Sequence, residues 1–198
     1  MKLTIRFSWL AFIFAALTHT AVANETFKFD ASHSTIGFRV HQFLGTTNGK
    51  FRQFSGNIDF DRQHPEGSSV SARIQVSSID TETKKRDDHL RSTDFFNVAK
   101  FPEITFKSRN VRQTGPQSGD ISGDLTMHGI TKPIILRVKL ATPLTDEALP
   151  ERTRWEVTTE PPLKRGDFGL MFGSATETVS GISQNVAIKI DIEAVRSR

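Results

Sequence analysis

The chain has 198 residues, with 26 Lys and Arg against 22 Asp and Glu, no cysteine, no tyrosine and 16 phenylalanines. A charge balance this even, without a clustered basic stripe, argues against a nucleic-acid surface. The lack of cysteine excludes disulfides and thiolate metal sites, so stability must come from a packed core and sheet.

Residues 1–23 read as a secretory signal peptide, with Lys2 and Arg6 as its basic start, Trp9 to Leu17 as a short apolar core, and Ala21-Val22-Ala23 as a small-residue cleavage site. That core is much shorter than the roughly 20 residues a membrane helix needs, and no other segment comes near that length, so no integral membrane segment is expected. The mature chain is expected to begin near Asn24 and to form one domain over residues 24–198, since no linker or repeat divides it.

Along that domain apolar and polar residues alternate in run after run, the pattern of strands with one buried face. Phe27 and Phe29 open the series, and Ile36, Phe38 and Val40 follow. Phe54 to Phe60 and Val70 to Val76 continue it, then Ile104 with Phe106, Ile121 to Met127 and Ile134 to Leu140. Trp155 with Val157 and Val186 to Ile192 complete about eight strands. Turn residues separate them at His64-Pro65-Glu66-Gly67, Thr114-Gly115-Pro116, Ala148-Leu149-Pro150 and Glu160-Pro161-Pro162.

Eight antiparallel strands with one apolar face close into a barrel that leaves no free edges and can hold side chains or one small ligand. The fold class predicted is all-β, an eight-stranded antiparallel barrel. The segment Asp80 to Asn97 breaks the alternation: Asp80 or Thr81 can cap a helix running through Leu90, and Ser92 can cap a further turn carrying Phe95 and Phe96. A short helical plug over 80–97 is predicted to close one barrel end.

Several segments, in this order and spacing, resemble the YceI family of periplasmic, lipocalin-like, polyisoprenoid-binding proteins. They include Asp30-Ala31-Ser32-His33-Ser34, Gly49-Lys50-Phe51, Ser78-Ile79-Asp80-Thr81, Arg86-Asp87-Asp88-His89-Leu90 and Asp94-Phe95-Phe96. Further carriers are Phe101-Pro102, Gly123 to Pro133 and Arg165-Gly166-Asp167-Phe168-Gly169, and the match spans essentially the whole mature chain. The resemblance implies a lipocalin-like barrel whose long apolar pore takes an isoprenoid or similar alkyl chain. It implies a periplasmic binding role without a settled catalytic one.

Within that reading Phe38, Phe51, Phe54, Phe95, Phe96 and Phe106 are candidate pore-lining residues, although each could equally be ordinary core. Phenylalanine without tyrosine supplies bulk with no hydroxyl to satisfy, which suits a dry pore. Arg86, Asp87 and His89 are candidates for contacting a polar head, because a guanidinium grips phosphate bidentately and an imidazole adds a donor. The competing reading is that Arg86 and Asp87 pair with each other or with strand backbone and so pin the plug helix. The ligand expected is a polyisoprenoid or other long-chain lipid, including an isoprenoid quinone or its precursor, with no other cofactor. Sequestration or transport of that lipid is the expected role. The alternative is a structural or stress-response interaction protein whose barrel is filled by its own side chains. A homodimer is compatible with both.

Other polar groups carry less. His33 and His41 have the parity opposite to Phe38 and Val40, which puts them outside the barrel or at its rims, and the chain lacks the converging ligands a metal needs. Asp30, His33 and Ser34 contain the residue types of a hydrolytic triad, but no nucleophile elbow accompanies them, and a polar turn is the simpler reading. No catalytic residue is therefore expected. Thr126, His128, Thr131 and Lys132 are read as a structural corner around Gly129.

Overall fold

The structure, a computed structural model, describes residues 24–142, 150–172 and 181–197. The expected signal peptide and residues 148 and 149 of one expected turn lie outside the described residues. The strands are β1 (Glu25–Phe29), β2 (Thr35–Gln42), β3 (Gly45–Phe51), β4 (Phe54–Phe60), β5 (Ser69–Gln75) and β6 (Ile79–Asp80), followed by helix α1 (Lys84–Arg91). After it come β7 (Glu103–Gly115), β8 (Ser118–Met127), β9 (Ile130–Leu140), β10 (Arg152–Thr159), β11 (Leu163–Lys164) and β12 (Asn185–Arg196).

Eight of these form a closed antiparallel ring in the order β1, β4, β5, β7, β8, β9, β10, β12, sealed by the β1–β12 pairing. The extra strands are continuations of ring strands. Strand β1 pairs with the C-terminal part of β12 at Phe29 and Ala194, and β2 with its N-terminal part from Thr35 and Asp191 to Val40 and Val186. The polar turn at residues 30–34 bends one long strand into these two. The β2–β3 hairpin then carries the short β6 on its far side, while β11 joins β12 at Leu163 and Val186.

Alternation was the right guide to this ring, but it passed over β3. The positions of β3 that share the inner face with Phe51 are Gly45, Thr47 and Gly49, too small to read as a core stripe. Their smallness has a packing cause. Phe38 is registered opposite Gly49, and a Cβ on Gly49 would fall within the Phe38 ring.

The plug also differs from expectation at its start. Helix α1 begins at Lys84 with Thr83 as its N-terminal flanking residue. Asp80 lies in β6, where its Oδ1 accepts the Glu82 N–H at 2.8 Å, and Glu82 adopts a left-handed φ of 63°. That reversal delays the helix past Asp80 and Thr81. At the other end Ser92 donates to the His89 carbonyl at 2.8 Å and accepts from the Asp94 N–H at 3.2 Å, leading the chain into the turn that presents Phe95 and Phe96. Arg91 ties the plug to the sheet, donating to the carbonyls of Ser77 at 2.8 Å and Ile79 at 2.6 Å.

The corner at the end of β8 is structural, as predicted. His128 and Gly129 have φ values of 52° and 75°, the Thr126 and Thr131 hydroxyls meet at 2.8 Å, and His128 Nδ1 lies 3.1 Å from the Phe168 carbonyl. This contact fixes the short 3-10 turn Arg165–Phe168 against the barrel rim.

Candidate functional site

Inside the ring lies an elongated cavity of about 390 Å³. It runs from the β7–β8 turn, where Gly115 to Gly119 border it, to the plug, where Arg86, Leu90, Phe95 and Phe96 do. The barrel is therefore not filled by its own side chains, and the volume lies in the range of small-molecule pockets. Its wall is almost wholly apolar because each ring strand turns its alternate aliphatic and aromatic residues inward.

The predicted phenylalanines sort clearly. Phe38, Phe51, Phe95, Phe96 and Phe106 line the cavity, whereas Phe54 packs half-buried against the core and does not border it. At the plug the rings form a continuous aromatic group. Phe51 and Phe96 meet edge-on at 6.4 Å, Phe96 and Phe95 at 5.2 Å, and Phe95 stacks on Phe172 at 4.7 Å.

The three polar candidates do not converge. Only Arg86 borders the cavity. Its Nε donates to the Thr81 hydroxyl at 2.7 Å, and its Nη2 donates to the Thr81 carbonyl at 2.7 Å and the Thr83 hydroxyl at 3.2 Å. Among the described residues its Nη1 bonds no protein atom, so donor capacity remains unused. Asp87 is buried behind it and accepts from the Thr81 N–H at 2.9 Å and hydroxyl at 2.6 Å. His89 is exposed and rests its ring 5.8 Å from Phe172. Asp87 and Arg86 thus both pin the plug through Thr81, as the competing reading had it, while His89 lies exposed against Phe172 and does not border the cavity.

A second arginine was not singled out from the sequence. Arg165 is 4 % exposed, borders the cavity, and faces the Phe172 ring at 5.3 Å. Its guanidinium donates to the carbonyls of Leu170 at 2.8 Å, Ser183 at 3.0 Å and Ile182 at 3.2 Å. Its only sequence signal was a charge inside the Arg165-Gly166-Asp167-Phe168-Gly169 segment, and the burial depends on partners far along the chain. Among the described residues lining the cavity, Arg86 and Arg165 are the only ionisable ones, and both sit at the plug end.

Outside the barrel, Asp30, His33 and Glu193 bring their ligand-type atoms within 4.8 Å of one another. Arg152 occupies that cluster, its Nη1 lying 2.9 Å from Asp30 Oδ2 and 2.6 Å from Glu193 Oε1, so a guanidinium already supplies the positive charge a cation would bring. The Ser32 hydroxyl, Arg152 and His33 together hold the Asp30 carboxyl well below the ordinary carboxylate range. Ser34 donates to the Asp30 carbonyl at 2.6 Å and accepts from the Glu193 N–H at 2.9 Å. It is a turn residue bonded to backbone, as predicted, and among the described residues no hydrogen bond joins it to His33. His33 itself lies in the turn before β2, not on the strand, and both His33 and His41 are exposed.

The profile of the YceI-like domain matches residues 27–194. The chain is also 38% identical over 196 residues to Protein YceI of Salmonella agona (strain SL483), covering 96% of this chain and 97% of that one. The chain belongs to the YceI family. The BcnA crystal structure from Burkholderia cenocepacia shares the fold at a TM-score of 0.75 and 24% identity, covering 84% of this chain and 99% of that one. A polyisoprenoid binding domain from Saccharophagus degradans shares it at a TM-score of 0.65 and 19% identity, covering 86% of this chain and 98% of that one. Among the described residues no helix is long and apolar enough to cross a membrane.

Proposed function

We propose that the protein is exported to the periplasm and there binds a polyisoprenoid or similar long-chain amphiphile, tail along the barrel cavity and head toward the plug, to sequester or carry it. The observation that carries this reading is the cavity itself, long, apolar and open in volume, with the only two charged side chains among its described lining residues at one end. Burying the tail contributes roughly 0.8 kcal/mol for each methylene removed from water, so a few isoprene units supply ample gross affinity. The name of the Saccharophagus degradans domain, which shares the barrel, agrees with such a ligand.

Arg86, which borders the cavity and whose Nη1 bonds no other group among the described residues, is the proposed head contact, while Arg165 adds positive charge nearby. A diphosphate or carboxylate head suits this pair best, and an isoprenoid quinone would use the same donors through its carbonyl oxygens. The test begins with native mass spectrometry of the mature protein purified after export, with the released small molecule identified. A stoichiometric long-chain isoprenoid is the expected result. Empty protein that also takes up no added isoprenoid would overturn the proposal. Arg86→Ala should weaken a prenyl diphosphate about 10–100-fold, the range for losing a charged hydrogen bond, and a neutral quinone much less. Equal losses for the two would remove Arg86 from the head contact.

A further inference from the structure

The β2–β3 hairpin ends in the adjacent pair Phe43 and Leu44, which are 83% and 93% exposed. Exposed apolar residues scattered singly need no explanation, but two neighbours at the turn of one hairpin do. Two further observations bear on the same hairpin. Gln42 and Thr47, which flank the tip, line the cavity and are hydrogen-bonded to each other across the strands. From Ala31 to Ile58 the chain carries no acidic residue, and Arg39 and His41 share the outward parity of the hairpin behind its tip, with Lys50 farther back opposite Asp80.

From these we infer that the Phe43-Leu44 tip is a membrane-contact element that seats the barrel on an anionic lipid surface with the cavity beside it. This rests on the lipid-binding reading above. An aromatic and an aliphatic side chain at a turn can enter the headgroup and acyl boundary without exposing strand edges, and basic residues set back from them meet anionic headgroups. A protein partner would more naturally be met by a flat apolar face with a polar rim. Here the apolar surface is a point, and the residues at its base open onto the lipid cavity. Two side chains give a weak, reversible anchor, which suits a carrier that must leave with its cargo. The Gln42–Thr47 bond lies where a lipid passing from the tip would first meet the cavity wall.

The experiment compares the full mature protein with the double variant Phe43→Ser/Leu44→Ser. Both are floated with phosphatidylcholine vesicles doped with phosphatidylglycerol, and both are assayed for uptake of geranylgeraniol from detergent solution. The proposal expects the variant to lose vesicle binding about tenfold or more, as removal of two partly buried apolar side chains implies, while uptake from detergent is unchanged. Circular dichroism checks the fold, which two exposed positions should leave intact. Equal flotation of the two proteins, or no flotation of the unmodified protein, would overturn the docking proposal whatever the uptake result. Tip-dependent flotation with no isoprenoid uptake by either protein would leave docking standing and overturn the lipid-carrier reading. A variant that floats normally but turns from dimer to monomer in light scattering would make the tip a contact between copies of this chain and also overturn the proposal.

Discussion

Asp30 shows how a single side chain organises the bend that splits the first long strand. Its Oδ1 accepts from the Ser32 N–H at 3.1 Å and hydroxyl at 2.5 Å, and its Oδ2 meets His33 and Arg152, each at 2.9 Å. These contacts favour the ionised form, so the folded-state pKa lies below the ordinary value of 3.8. The sign follows from linkage. Stability from Asp30 is complete above its unfolded value and drains away as pH falls through the folded one, because the unfolded chain then binds the proton first. Asp30→Asn should therefore lower the melting temperature at neutral pH, and the gap from the unmodified protein should close as pH drops below about 4. Thermal unfolding followed across that range checks it. A gap that stays constant to the lowest pH would mean that the carboxylate's charge contributes nothing. The residue types of this bend were legible in the sequence. Its long partner Arg152 was not, since 122 residues separate the two.

At the scale of elements, the plug combines one legible part with one hidden part. The break in alternation and the cluster of Phe95 and Phe96 announced a helical insertion, and both rings do border the cavity. The division of labour among Arg86, Asp87 and His89 was hidden, because it depends on Thr81 standing where it can receive Arg86 and satisfy Asp87 together. Asp87 is the anchor of this arrangement. Asp87→Ala would leave the Thr81 N–H and hydroxyl without their buried acceptor, a loss of about 1–3 kcal/mol. That loss should fall on the plug, where α1 meets the sheet through few side chains, and not on the continuous ladders of β7, β8 and β9. Hydrogen exchange should accordingly speed up for amides of 84–98 and stay unchanged in those three strands. Uniform acceleration through the barrel would show instead that the plug and ring open as one unit.

For the whole molecule, the ring could be read from period-two alternation because its wall separates one apolar face from one polar face throughout. What alternation could not convey is how much space the wall encloses. Strand β3 shows why: its inner glycines and threonine, too small to read as a core stripe, leave room for the Phe38 ring and border the cavity at Thr47. On the proposed function the native state binds an apolar ligand and the unfolded state does not. Ligand must then stabilise it by mass action, by about 2.7 kcal/mol at a free concentration one hundred times Kd. For a chain of this size each kcal/mol raises the melting temperature by roughly 2–4 °C, so saturation should shift it by about 5–10 °C. Scanning the delipidated protein against increasing geranylgeranyl diphosphate measures this. The shift should persist in Phe43→Ser/Leu44→Ser, whose cavity is intact, and shrink in Arg86→Ala, whose head contact is gone. A melting temperature indifferent to ligand would mean that the apolar cavity, although large enough, is not where the chain does its work.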